Sequence, residues 1–231
     1  MSLKISNINK SFHDFTIYSD FSLEIPEHTI SCILGPSGCG KTTLLNMMSK
    51  TIHPDSGHFY GFDEKIISYI FQEPRLLPWK TVRENISFIL KDKEPGKIVD
   101  KYLQLVELEN FADFYPAKLS GGMKQRVAIA RAFAYPSDII LMDEPLKTLD
   151  FKLKQNLMKS FRKIWQFDKR TVVFVTHDID EALLLGNDIF VFSKAPVQII
   201  EQFKINGSST ERSLESTEMA ELKKQVLKIM E

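Results

Sequence analysis

The chain has 231 residues, room for one large domain or for a domain with a subdomain, and its 43% hydrophobic and 26% charged content is that of an ordinary water-soluble globular protein. Its 30 basic residues balance 30 acidic ones, so no global charge draws it to nucleic acid or anionic lipid. No apolar run approaches the roughly 20 residues that span a bilayer, so any work at a membrane needs spans supplied by another chain.

In chain order, Leu3, Ile5 and Ile8 and the alternation over Phe21–Ile25 predict strands, and Pro26–His28 turns the chain into the continuous run Ile30–Leu34. That run ends in Gly35-Pro36-Ser37-Gly38-Cys39-Gly40-Lys41-Thr42-Thr43, followed by a helix over about 41–50. Short strands are predicted at 58–60 and 66–71. Helices are predicted from Thr81, capped by Glu84, and over 97–108 with Ile98, Tyr102, Leu105 and Val106 on one face. Ser120-Gly121-Gly122 opens a helix that Pro136 ends. Residues 139–142 and 171–176 read as buried strands around a helix over 151–167, and 181–185 as a short helix. Strands at 188–192 and 197–203, a linker from Asn206 and an amphipathic helix over 214–230 complete the chain. Strands alternating with helices imply an α/β fold with a mainly parallel core sheet and ligand groups at the strand C-terminal ends. Cys32 and Cys39 fall in a strand and a loop, where a disulfide is not expected. A reducing compartment follows, and the N-terminus lacks a signal-peptide apolar core.

The glycine-rich stretch fits G-x-x-x-x-G-K-[ST] between a strand and a helix, a phosphate-cradling loop. Backbone N–H groups from Gly35 to Thr43 would point at phosphates, with Lys41 on the β- and γ-phosphates and the Thr42 hydroxyl on Mg²⁺. Cys39 reads as a small filler, since no His-Asp partner stands near it. Asp143 and Glu144 end an apolar strand, which suits Asp143 to Mg²⁺ and Glu144 to polarising an attacking water; taken alone, they equally fit a turn before Pro145. A histidine such as His177 at a strand end is, alone, more often structural. In Leu119–Arg126, the Ser120 hydroxyl and the Gly121 and Gly122 amides form a second phosphate nest. One nucleotide does not readily use two nests of one chain, which implies a dimer.

In this order the motifs resemble the ATP-binding subunits of ABC transporters, over roughly residues 3–205. The resemblance covers the Walker A loop 35–43, Gln72, the signature 119–126, Walker B 139–144, Leu149-Asp150, and Thr176-His177-Asp178. It implies a head-to-tail homodimer, or paired subunits, holding two ATP molecules, with Ser120 and Gly122 reaching the partner's γ-phosphate. It also puts Gln72 and His177 beside Glu144 in catalysis and adds Gln72 to the Mg²⁺ ligands Thr42 and Asp143. Phe12 is the candidate for stacking on adenine, with Phe15 competing. Phe71–Trp79 followed by Thr81–Asn85 is similar to the ATPases of nitrate, sulfonate and taurine importers and of thiamine-precursor importers. There this segment faces the membrane subunit; Trp79 otherwise reads as a core anchor.

Departures from the family pattern are Leu146, Lys147 and Thr148, where small residues are usual, a short segment 61–68, and Ser49-Lys50-Thr51 at the end of the first helix. The resulting expectation is a P-loop ABC ATPase with an N-terminal antiparallel part. Residues 1–206 form one ATP-binding domain with a helical subdomain inserted at about 74–135, and 207–231 form a linker and helix, too short for a regulatory domain. The expected function is ATP hydrolysis that drives uptake of a small solute. The expected partners are separate permease subunits and, indirectly, a solute-binding protein, but no nucleic acid, at the cytoplasmic membrane face. An exporter or lipoprotein-release ATPase, or a soluble non-transport ABC ATPase, is the alternative.

Overall fold

The computed structural model describes residues 2–91, 95–147, 149–205 and 212–230. Thr148 and the predicted linker at 206–210 lie outside the described residues. Two sheets carry the fold. Strand β1 (Ser2–Phe12) pairs antiparallel with β2 (Phe15–Pro26) and with β4 (Ser56–Tyr60).

The second sheet has the order β5-β6-β7-β3-β8-β9, with β5 at Ile67–Ile70, β6 at Ile139–Asp143, β7 at Thr171–Thr176, β3 at Ile30–Leu34, β8 at Asp188–Phe192 and β9 at Ile199–Lys204. The first five strands run parallel, and only β9 is antiparallel. All five residues of β3 and all six of β7 are buried, as expected of parallel strands covered on both faces. Period-2 alternation then divides the core. Ile30, Cys32 and Leu34 join the layer of helices α4 (Gly121–Ala134) and α5 (Phe151–Phe167). Ile33 packs in the other layer with Leu44 and Leu45 of α1 (Lys41–Met48) and with the β1–β2–β4 sheet.

Between β5 and β6 lie α2 (Val82–Ser87), α3 (Gly96–Leu105) and α4. The capping box at the start of α2 is present: Glu84 N–H donates to Thr81 Oγ1 at 3.2 Å, and Thr81 N–H to Glu84 Oε2 at 2.7 Å. Helix α3 corrects the sequence reading. It stops at Leu105, before Glu107 at φ +59°, and its buried residues are Val99, Tyr102 and Leu103, whereas Ile98 and Leu105 are only partly covered. Tyr102 and, just past the helix, Val106 are buried as read, while Val99 and Leu103 stand in for Ile98 and Leu105 on the covered face. Strand β9 likewise starts at Ile199, because residues 193–198 form a turn in which the Ser193 N–H donates to Gln198 O. Helix α6 (Ile179–Leu185) and α7 (Thr217–Met230) pack against one another at the far end.

This topology positions three loops. In register, β3 Leu34 stands beside β7 Thr176, and β6 Asp143 beside β7 Val175. The C-terminal ends of β3, β7 and β6 therefore open side by side, where an open parallel sheet binds ligands.

Candidate active site

The loop after β3 is built to present backbone amides. Gly38 (φ +78°) and Gly40 (φ +114°) lie in the left-handed region, and a Cβ on Gly40 would come within 2.5 Å of Ile17 Cγ2. Gly40 is further fixed by Tyr18, whose hydroxyl donates to Gly40 O at 2.9 Å. Lys41 is 5% exposed, and its ammonium donates to Gly35 O (2.8 Å) and Pro36 O (2.9 Å). Cys39 is buried in the apolar layer, and burial, the main cause, raises its thiol above the ordinary value, which supports the filler reading.

A cavity of about 250 Å³ opens over this loop, lined by Ile17, Ser37, Gly38, Gly40, Lys41, Thr42, Thr43, Gln72, Asp143, Glu144 and Lys147. Thr42 Oγ1 donates to Asp143 Oδ1 at 2.9 Å, and Tyr69 OH donates to Asp143 Oδ2 at 3.3 Å. Burial pushes the Asp143 carboxyl up, with these donors opposing it. Hydroxyl, carboxylate and amide oxygens of Thr42, Asp143 and Gln72 on one wall are a hard-oxygen set suited to Mg²⁺. Among the described residues, no group of three or more His, Cys, Asp or Glu is placed to hold a metal ion by itself.

Glu144 has φ +43°, a conformation that costs a non-glycine residue about 1–2 kcal/mol and that places its side chain back over the cavity. Its N–H donates to Val175 O at 3.1 Å, which fixes the bend against β7. Three nitrogen groups surround the carboxylate: Lys147 Nζ at 2.7 Å and His177 Nδ1 at 3.3 Å from Oε2, and Lys41 Nζ at 3.8 Å from Oε1. Burial raises this carboxyl, but Lys147, Lys41 and His177 together outweigh burial and hold it below its ordinary value. His177 is itself held in a fixed loop. Asp178 caps α6 by accepting from the N–H groups of Asp180 and Glu181, and the Asp178 N–H donates to Thr176 Oγ1 at 3.0 Å. From α5, Lys154 Nζ reaches Asp178 Oδ2 at 2.9 Å and Glu181 Oε1 at 2.8 Å.

The structure thus brings Lys41, Thr42, Gln72, Asp143, Glu144 and His177 together. Gly35 and Pro36 lie under the loop. Ser120 caps α4, its Oγ accepting from Met123 N–H at 3.3 Å, and a Cβ on Gly122 would stand 3.2 Å from Leu153 Cδ2. None of residues 119–126 lines the Lys41 cavity, so within one chain the two nests are separate. Phe12 and Phe15 face each other across the hairpin end and are exposed, and neither lines the cavity, where Ile17 stands. Trp79 is 70% exposed, so it does not anchor the interior. Sequence reasoning missed Tyr69, Lys154 and Glu181. Only Glu181, a charge opening the apolar run 182–185, carried a signal.

The fold and the cavity define a P-loop nucleotide-binding cassette. Residues 18–147 match the family described as ABC transporter. An uncharacterised ABC transporter ATP-binding protein of Methanocaldococcus jannaschii is 38% identical, covering 100% of this chain and 91% of its own length. The aliphatic sulfonates import ATP-binding protein SsuB of Bacillus cereus is 36% identical, over 100% of this chain and 96% of its own. Among solved structures, a dimeric ATP-binding cassette in a post-hydrolysis state with ADP and Pi superposes with a TM-score of 0.73 at 33% identity, covering 89% of this chain and 99% of that one. The chain belongs to the ABC transporter ATP-binding family and is an ABC-type ATPase. No helix among the described residues is long and apolar enough to cross a membrane.

Proposed function

We propose that the chain powers an importer, hydrolysing ATP at the peripheral cytoplasmic face of a membrane whose spans belong to separate permease subunits. The observation that carries this is the convergence of Lys41, Thr42, Asp143 and Glu144 in one cavity at the ends of adjacent strands. The loop amides and Lys41 hold the phosphates. Thr42, Asp143 and Gln72 would hold Mg²⁺, which would supply positive charge against that developing on the phosphates. Glu144, over the cavity, accepts a hydrogen bond from the attacking water and orients it in line with the γ-phosphate. His177 holds Glu144 and the γ-phosphate in register.

A second copy supplies Ser120 and Gly122, whose nest lies apart from its own chain's cavity, so ATP is bound between two chains. Phe12, at the hairpin end, stacks on the adenine. The exposed Trp79 and the Phe71–Pro78 segment dock the permease. Residues 1–206 act as the cassette, with the helices of 74–135 as its permease-facing insert. The sulfonate-importer relative and the Phe71–Trp79 motif favour a small anionic solute of the sulfonate, nitrate or taurine type, delivered by a solute-binding protein. A thiamine-precursor cargo is the variant within the same motif class.

Glu144→Gln tests the reading. It should form an ATP-dependent dimer by size-exclusion chromatography yet lose ATPase by about 10²–10³-fold, the contribution of a positioned general base. Near-normal turnover would remove Glu144 from its role. Uptake of a radiolabelled sulfonate by vesicles carrying the chain with its permease tests the importer assignment.

A further inference from the structure

Lys147 belongs to none of the elements that bind nucleotide in the reading above, yet its ammonium lies in the same cavity as Ser37, Lys41 and Thr42. It stands 2.7 Å from Glu144 Oε2, while Lys41 Nζ stands 3.8 Å from Oε1 of the same carboxylate. Two ammonium groups are therefore held across one small anion, in the space assigned to phosphates. The backbone sets this arrangement: Lys147 N–H donates to Glu144 O at 3.2 Å, closing a turn that folds the side chain back over the site. The Lys147 side chain is 41% exposed and Glu144's only 12%, so the long lysine stem can move while the carboxylate stays anchored. An ion pair this exposed adds little to fold stability. Its place over the phosphate loop, unlike that of the peripheral Lys50–Asp63 pair, gives it a chemical role.

We propose that Lys147 is a second cation for the terminal phosphate, one that discriminates a nucleoside triphosphate from a diphosphate. Lys41 and Lys147 both approach the anchored Glu144 carboxylate at the edge of the space that the γ-phosphate takes. A γ-phosphate carries more charge than a carboxylate, so both ammonium groups turn to it. Glu144 Oε2 is then released to accept from water. Lys147 thus couples arrival of the triphosphate to availability of the base. A diphosphate ends at the β-phosphate, held by the loop amides and Lys41, and leaves the Lys147–Glu144 pair intact. No covalent step is involved. The inference rests on the reading of the cavity as an ATP site.

The test is titration calorimetry of the full chain with ATP and with ADP in EDTA, where no turnover occurs. Lys147→Met should weaken ATP binding about 5- to 20-fold, the loss of one solvent-facing charge-assisted contact, and leave ADP within about 2-fold. Lys147→Arg should restore the preference for ATP. Equal weakening of both nucleotides would reduce Lys147 to general positive charge and overturn the proposal. Unchanged ATP binding would overturn it as well. Tighter ATP binding would make Lys147 a competitor of the phosphate and overturn it too. A wild-type chain that binds neither nucleotide would instead overturn the ATP-site reading. An unchanged melting temperature of Lys147→Met confirms that folding is not the cause of any loss.

Discussion

Lys154→Met strikes the ion network behind His177, and its size follows from burial. Glu181 is 2% exposed, with its carboxylate on Lys154 Nζ at 2.8 Å and on the Thr176 hydroxyl at 2.6 Å. Breaking a buried ion pair from one side costs about 3–5 kcal/mol. Here the Lys154 side chain is 20% exposed and Thr176 still donates to Glu181, so the expected loss is about 2–3 kcal/mol. For a chain of this size that lowers the melting temperature by about 4–12 °C. The pH dependence has a definite sign. Burial raises the Glu181 carboxyl, with Lys154 opposing, so its contribution to stability falls as pH rises from the ordinary carboxylate range through the raised folded value. Removing Lys154 raises it further and deepens that loss. Burial also acts on Asp178, but Lys154 and the α6 amides outweigh it and hold Asp178 low. Its contribution is therefore present above the ordinary value, is lost as pH falls, and shrinks without Lys154. Both effects widen the gap between variant and wild type as pH rises above the ordinary carboxylate range and narrow it as pH falls, with Glu181 taking up its proton first and Asp178, held low, last. Thermal unfolding followed by circular dichroism across that range measures it. A gap that stays constant with pH, or lies under about 0.5 kcal/mol, refutes the account.

Gly40→Ala should destabilise by about 2–4 kcal/mol, combining left-handed strain with overpacking against Ile17, and should weaken nucleotide binding. Gly38→Ala meets no atom within 4 Å and should lose only about 1 kcal/mol, so thermal melts that rank the two equally would contradict the cradle geometry. Trp79→Ala should leave stability within about 0.5 kcal/mol, because the ring is already in water, while reducing co-purification with the permease; a large drop in melting temperature would return Trp79 to the core.

What was legible in the sequence followed from short-range rules. The β3–loop–α1 unit was readable because five apolar residues, then glycines, then a helix pattern each match one local conformation. The capping box of α2 and the start of α4 at Ser120 are set by side chains within three residues of the amides they bind. On α3 only Ile98 and Leu105 were misplaced on the covered face, because they are as hydrophobic as Val99 and Leu103. Only the neighbouring helices decide which pair is covered. The missed site residues share one cause: each acts across the sheet rather than along the chain. Tyr69 reaches Asp143 because β5 pairs with β6, and Lys154 reaches Glu181 because α5 packs against α6. Lys147 was visible as an unusual residue, but its ion pair depends on the positive φ of Glu144, which no local residue preference predicts.

The first turn of α5 ties these pieces together. Leu153 packs on Gly122 at the start of the signature helix, and the next residue, Lys154, holds Asp178 and Glu181 beside His177. Asp150 fixes that turn by accepting from Leu153 N–H at 2.9 Å. Successive side chains on one rigid turn thus touch the nest that would meet a partner's nucleotide and the loop that guides this chain's own Glu144. Any shift of α4 would be passed to Leu153, and with it to Lys154, because packed side chains move as a body rather than compress. The two half-sites of a dimer would then be connected through about one turn of helix.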